Sequence, residues 1–131
     1  MSQENVELYC RTIDAWTRGD QQAWLEDVTA EWEFRSSGLF PGLQPVYRGP
    51  EGARKLWTDM RGRWVEFAVQ IERVEDLGDT LVALITFVAK GRDGIRVERR
   101  WAHVVTYGQG VPTVTENHGS WAEALKAVGL E

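Results

Sequence analysis

Between residues 64 and 119 the chain repeats one pattern four times: alternating apolar and polar residues, then a short turn rich in glycine. Phe67, Val69 and Ile71 share one side of residues 64–76. The dipeptide "GD" (78–79) then leads into "TLVALITFVAK" (80–90), "GRDG" (91–94) into residues 95–107, and "GQG" (108–110) into 111–119. Period-two alternation between tight turns predicts strands joined as hairpins. Hairpin links make neighbouring strands antiparallel, so this half is expected to form a four-stranded antiparallel meander. Pro112 has no N–H for a ladder and fits only the start or edge of the last strand.

The first half carries helical spacing instead. Val6, Tyr9, Ile13 and Trp16 recur at intervals of three and four, predicting a helix over 3–18 with Ser2 or Asn5 as N-cap. Gly19 stops it. Asp20 caps a second helix over 21–28, with Trp24, Leu25 and Val28 turned inward. "EWEFR" (31–35) alternates as a strand, with Trp32 and Phe34 on one side. Three glycines and two prolines in "SSGLFPGLQPVYRG" (36–49) argue against a regular element there. Its Leu39, Phe40, Leu43, Val46 and Tyr47 must nonetheless lie on something apolar, and long ordered loops are often lids. Pro50 opens a third helix whose inner face is Ala53, Leu56, Trp57 and Met60. Ser120 caps a terminal helix over 120–128 that Gly129 ends. Helices first and hairpin-linked strands afterwards predict an α+β fold and not a parallel α/β one. With helices on one face only, the outer sheet face, marked by Val104 and Val114, is expected to meet a second copy.

The 131 residues fit one domain, 1–131, with room for a core. A net charge of −5, with no basic stripe, argues against nucleic acid as a partner. The longest apolar run, 81–89, is too short to cross a bilayer. Without a leader-like N-terminus, and with Cys10 the single cysteine, a cytoplasmic protein is expected. Two histidines and no cysteine cluster offer no metal-ligand spacing, so neither metal nor cofactor is expected. Cys10 has no base beside it in sequence and reads as buried and inert.

One strand is odd. In "RRWAHVVTY" (99–107), Trp101, His103, Val105 and Tyr107 share a face, placing an imidazole between aromatics on the apolar side. A three-residue turn at 108–110 would pair Tyr107 with Val111, His103 with Thr115 and Trp101 with Asn117, with Arg99 further along. An apolar wall with a few convergent polar groups is how ligand pockets are built. The competing reading is a core histidine held by a threonine or a backbone carbonyl. The seven tryptophans, 16, 24, 32, 57, 64, 101 and 121, divide the same way between core packing and pocket lining.

The order of elements, with "AWTRGD" (15–20), "WEFRSSGLFPGLQPVYRGPEGARKLW" (32–57), "AHVVTYGQG" (102–110) and "WAEALKAVGL" (121–130), resembles the nuclear transport factor 2-like superfamily and, within it, the SnoaL-like branch. The resemblance implies a cone: three N-terminal helices closing a strongly curved, mostly antiparallel sheet around a pocket, with a short C-terminal helix and a homodimer through the outer sheet face. The implied cavity would be lined by Thr12, Trp16, Trp32, Phe34, Phe40, Tyr47, Trp57, Arg99, Trp101, Tyr107, Thr115 and Asn117 around His103.

Family chemistry transfers incompletely. In ketosteroid isomerases of this superfamily an acidic donor stands where His103 falls, but the carboxylate base aligns with Phe34 and the tyrosine donor with Thr12. Arg99 could supply the arginine of an epoxide hydrolase, yet no inward carboxylate pair accompanies it. A dehydratase would want two cavity histidines, and His118 has the opposite parity from His103. Three readings follow: a binder of a small hydrophobic molecule held against His103; a cyclase, isomerase or dehydratase using His103 as acid or base; and a structural or partner-binding dimer whose pocket its own tryptophans fill.

Overall fold

The computed structural model describes residues 2–130, with the Ser2 side chain excepted, so the expected Ser2 cap lies outside the described residues. Four helices, α1 (Ser2–Arg18), α2 (Gln21–Leu25), α3 (Gly49–Arg61) and α4 (Trp121–Ala127), accompany six strands: β1 (Glu33–Arg35), β2 (Val46–Arg48), β3 (Trp64–Asp76), β4 (Thr80–Gly91), β5 (Arg96–Gly108) and β6 (Val111–His118). They form one curved sheet in the order β2-β1-β6-β5-β4-β3. The β3–β6 meander matches the sequence expectation. The short strands do not: β1 pairs parallel with β6, and β2, inside the segment expected to be irregular, pairs antiparallel with β1. Pro45 ends the glycine-rich part, and Val46, Tyr47 and Arg48 suffice for three pairs.

The helix junctions are set by local chemistry. Gly19 has φ +76; its N–H donates to the Trp16 carbonyl and that of Asp20 to the Ala15 carbonyl, a Schellman end. Arg61, reaching across from α3, donates Nε to the Trp16 carbonyl at 2.7 Å and Nη2 to that of Thr17 at 3.1 Å. The Asp20 side chain accepts from Ala23 N and starts α2. That helix stops at Leu25, short of the expected 28, because the Asp27 and Val28 N–H groups bond three residues back. Asn5 does not cap α1: it lies within the helix, and its side chain donates to Gly78 O in the β3–β4 turn.

The β5–β6 hairpin corrects the expected register. Gln109 (φ 54) and Gly110 (φ 81) form a two-residue turn closed by Gly108 and Val111. Alone, that turn would set Thr115 opposite Val104, on the outer face. Thr113 bulges between the pairs Tyr107–Pro112 and Thr106–Val114, and its Oγ1 donates to Thr106 O. The extra residue restores the face, so His103 pairs with Asn117 and Val105 with Thr115.

The main core lies between α1 and the inner sheet face, with Phe87 at its centre, its ring edge-on to Phe40, Trp64, Phe67 and Trp101. A second cluster gathers Trp24, Trp32, Tyr47 and Leu56 beneath α2 and α3. The outer face is partly covered by the chain itself. Helix α4 packs Ala124 on Val82, Ala102 and Val104, so Val104 needs no second copy to hide it. Cys10 is exposed on α1, not buried as expected. Among the described residues, no helix is long and apolar enough to cross a membrane.

Phe87 is wholly buried within four aromatic contacts. Phe87→Ala is expected to lower the unfolding free energy by roughly 3–5 kcal/mol in a denaturant titration, the cost of losing a core aromatic.

Candidate functional site

The inner sheet face, α1 and the 36–45 segment enclose a cavity of about 90 Å³. Each wall has its own origin. Helix α1 contributes Tyr9, Thr12, Ile13 and Trp16 from the stripe its 3.6 periodicity turns inward. Strand β5 contributes Trp101, His103, Val105 and Tyr107 by alternation, and β6 contributes Thr115 and Asn117 through the bulge. Strand β1 turns Phe34 inward. Glu33 is turned out into an ion-pair group with Arg35 and Arg48, and those guanidiniums hold its carboxyl below the usual range.

Ten of the thirteen residues singled out in the sequence line this cavity: Thr12, Trp16, Trp32, Phe34, Phe40, Trp101, His103, Tyr107, Thr115 and Asn117. Three do not. Tyr47 is buried in the second cluster, where its hydroxyl accepts from Gln44 N and donates to Asp59. Trp57 lies behind the wall, 4.5 Å from the Trp16 ring and stacked on Trp24. Arg99 has the right parity but lies at the rim, its exposed guanidinium 5.0 Å from the Phe40 ring centre and bonded to Leu39 O, because a long cation reaches for water. Sequence reasoning missed Tyr9, Trp24 and Phe67 as lining residues. Each was visible as an inward-facing apolar position, but nothing separates a core aromatic from a cavity aromatic before the walls are assembled.

The polar part of the wall is a short network. The Tyr9 hydroxyl lies 2.8 Å from His103 Nδ1, with both residues buried. The Trp101 indole donates to Asn117 Oδ1, and Asn117 Nδ2 donates to Ser36 O. The His103 ring stands edge-on to Tyr9, Phe34 and Trp101. Burial pulls its pKa down to about 4, partly offset by the Asn117 side chain. Burial also raises the Tyr9 and Tyr107 phenols. At neutral pH, then, the lining carries no formal charge: it has no Asp, Glu, Lys or Arg, and its imidazole is neutral.

His118 faces the other way, as its parity predicts, with Nε2 3.5 Å from Glu116. Among the described residues no group of three or more His, Cys, Asp or Glu is placed to hold a metal ion.

Comparison with known proteins agrees with this architecture. No curated protein matches the chain by sequence. Solved structures align over nearly their full length at low identity and share the fold. TerC, crystallised with polyporic acid, has 16% identity over 91% of this chain and 93% of its own, with a TM-score of 0.78. An NTF2-like protein of unknown function from Burkholderia pseudomallei has 18% identity over 96% and 98%, TM-score 0.79. An LEH-like epoxide hydrolase from M. tuberculosis has 18% over 95% and 89%, TM-score 0.75. Residues 10–111 match the SnoaL-like domain family model, and the chain belongs to that family.

Proposed function

We propose that the chain binds a small neutral molecule, aromatic or otherwise apolar and bearing one oxygen, in the cavity beside His103. The observation that carries this reading is the uncharged aromatic wall with a few polar groups at one place, His103, Tyr107, Thr115 and Asn117. Removing an apolar ring from water drives such binding, and the polar groups orient it. That a neighbour of the same fold was crystallised with polyporic acid is consistent with it.

The free volume limits the ligand. About 90 Å³ is well below the roughly 300–1,000 Å³ of sites for drug-sized molecules. A single ring fits closely, and anything larger must displace Phe40, whose ring rests 4.8 Å from Trp101. The same small volume favours a second reading, in which the packed indoles of Trp16, Trp24 and Trp57 leave the cone filled and the chain serves as a partner-binding dimer. The enzymatic reading gains less support. An imidazole with a pKa about 4 is protonated in roughly one molecule in a thousand at pH 7, so His103 is a poor general acid there.

Tryptophan fluorescence separates the two main readings. Titration with one-ring carbonyl compounds is expected to shift the emission, and Phe40→Ala to admit two-ring analogues that the parent excludes. If neither protein responds to any probe, the filled-cone reading stands and ligand binding is lost.

Protonation of His103 should oppose folding. Its folded pKa of about 4 lies below the ordinary 6.5, so the unfolded chain takes the proton first. Stability is therefore expected to be full above pH 6.5 and to fall toward pH 4. That loss should be absent from His103→Gln, as read by thermal unfolding across this range.

For the homodimer through the outer sheet face, the part not under α4 carries the half-buried Leu84 and Val88. Sedimentation is expected to give a dimer for the parent chain and a monomer for Val88→Arg. A monomeric parent would dispose of the dimer.

A further inference from the structure

We propose that Tyr9 is a positioning residue that fixes His103 in the tautomer carrying its hydrogen on Nε2, so that the cavity selects ligands presenting a hydrogen-bond acceptor. The inference rests on the binding reading above and gives it a chemical preference.

The argument starts from the single contact between the two side chains. Tyr9 is 3% exposed, and its hydroxyl is 2.8 Å from His103 Nδ1, the hydrogen bond the structure gives it. Either the phenol donates to a bare Nδ1, or Nδ1–H donates to the phenol oxygen. In the second case the phenol hydrogen has no acceptor among the protein groups around it, which is unfavourable for a buried donor. The first arrangement satisfies both groups. Burial supports it twice over: the phenol keeps its hydrogen, and the ring stays neutral with one hydrogen to place. A neutral imidazole whose Nδ1 accepts must carry that hydrogen on Nε2.

The rest of the site does not override this choice. The Asn117 carboxamide beside the ring has its orientation set from both ends, its oxygen accepting from Trp101 and its nitrogen donating to Ser36 O. With both ends engaged elsewhere, it does not compete with Tyr9 for the choice of tautomer. Thr115 and Tyr107 carry hydroxyls that can donate or accept, so they do not discriminate. His103 is then the group in the polar corner whose ring hydrogen is fixed in place, as a donor. A carbonyl or phenol oxygen is accepted there; a ligand offering only N–H meets another hydrogen. A protonated amine would find no carboxylate in the wall.

The test has two arms. In the first, nitrogen-15 NMR of the wild-type protein labelled in histidine reads the two ring nitrogens of His103. Nδ1 is expected at an acceptor-type shift and Nε2 at an N–H-type shift, with Tyr9→Phe moving both toward a tautomer mixture. The reverse pattern in the wild type overturns the proposal, and so does a Tyr9→Phe protein whose shifts are unchanged. In the second arm, benzaldehyde and styrene, nearly the same shape with and without the acceptor, are titrated by tryptophan fluorescence. Benzaldehyde is expected to bind roughly three- to tenfold more tightly, the worth of one net hydrogen bond, and Tyr9→Phe to shrink that ratio below about twofold. Equal binding of the two probes by the wild type overturns the selectivity. Failure of both to bind overturns the binding reading together with the selectivity, while the nitrogen shifts still decide the tautomer. Should Tyr9→Phe not fold, the wild-type shifts and probe ratio remain decisive.

Discussion

The register between β5 and β6 is the constraint on which the rest depends. A sheet residue has two choices of face, and one inserted residue reverses everything beyond it. The left-handed pair Gln109–Gly110 makes the shortest turn available, and that turn by itself would send Thr115 outward. The bulge at Thr113 takes up one residue and returns Thr115 and Asn117 to the face of His103. It also bends the strand where the sheet must curve, and it lies next to Pro112, which lacks the N–H that an unbroken ladder would require. Without the bulge, the inner corner would lose the carboxamide that holds both Trp101 and Ser36, and with it the tie between the sheet and the segment after β1.

Much of this was legible in the sequence because the signals were local. Strand alternation and turn residues gave the meander, 3.6 periodicity gave the inner face of α1, and Gly19 and Asp20 gave the corner between two helices. What failed depended on partners distant in the chain. The pairing of β2 is written in no residue between 46 and 48; it exists because β1 offers an edge. Tyr47 and Trp57 were expected in the cavity because they are large and aromatic, and they are indeed buried, but a wall has two sides. Arg99 has the parity of His103 and still ends at the rim, since parity fixes a direction and solvation decides where a long cation stops. Val104 looked like an interface residue until α4, twenty residues later, folded over it.

The electrostatics of the site follow from that same separation of inner from outer. Every charged residue of β1 and β6 points outward, where Arg35 joins Glu33 to Glu116 across the strand pair. These exposed pairs contribute little to stability, but they draw the carboxylates away from the cavity. The consequence is a histidine with no anion to stabilise its protonated form. In a site with an inward carboxylate on β1, the same imidazole would be drawn upward in pKa and become a usable acid. With Phe34 in that place it is held neutral, and its value lies in the direction of its one N–H.

Neutrality of this kind ties the site to the stability of the fold. Tyr9 on α1 and His103 on β5 satisfy each other across the core, so the bond that orients the imidazole also fastens the helix to the sheet. The Phe40 segment is fastened differently. Its ring packs on Phe87 and Trp101, and Arg99 and Arg63 bond the Leu39 and Pro41 carbonyls at the surface, where water competes. The polar corner is thus tied by buried bonds, and the hydrogen bonds at the rim are exposed. If the 90 Å³ cavity widens for a larger molecule, the exposed bonds of the rim would yield before the buried bonds of the polar corner. Expansion should therefore change which sizes are accepted before it changes which chemistry is preferred.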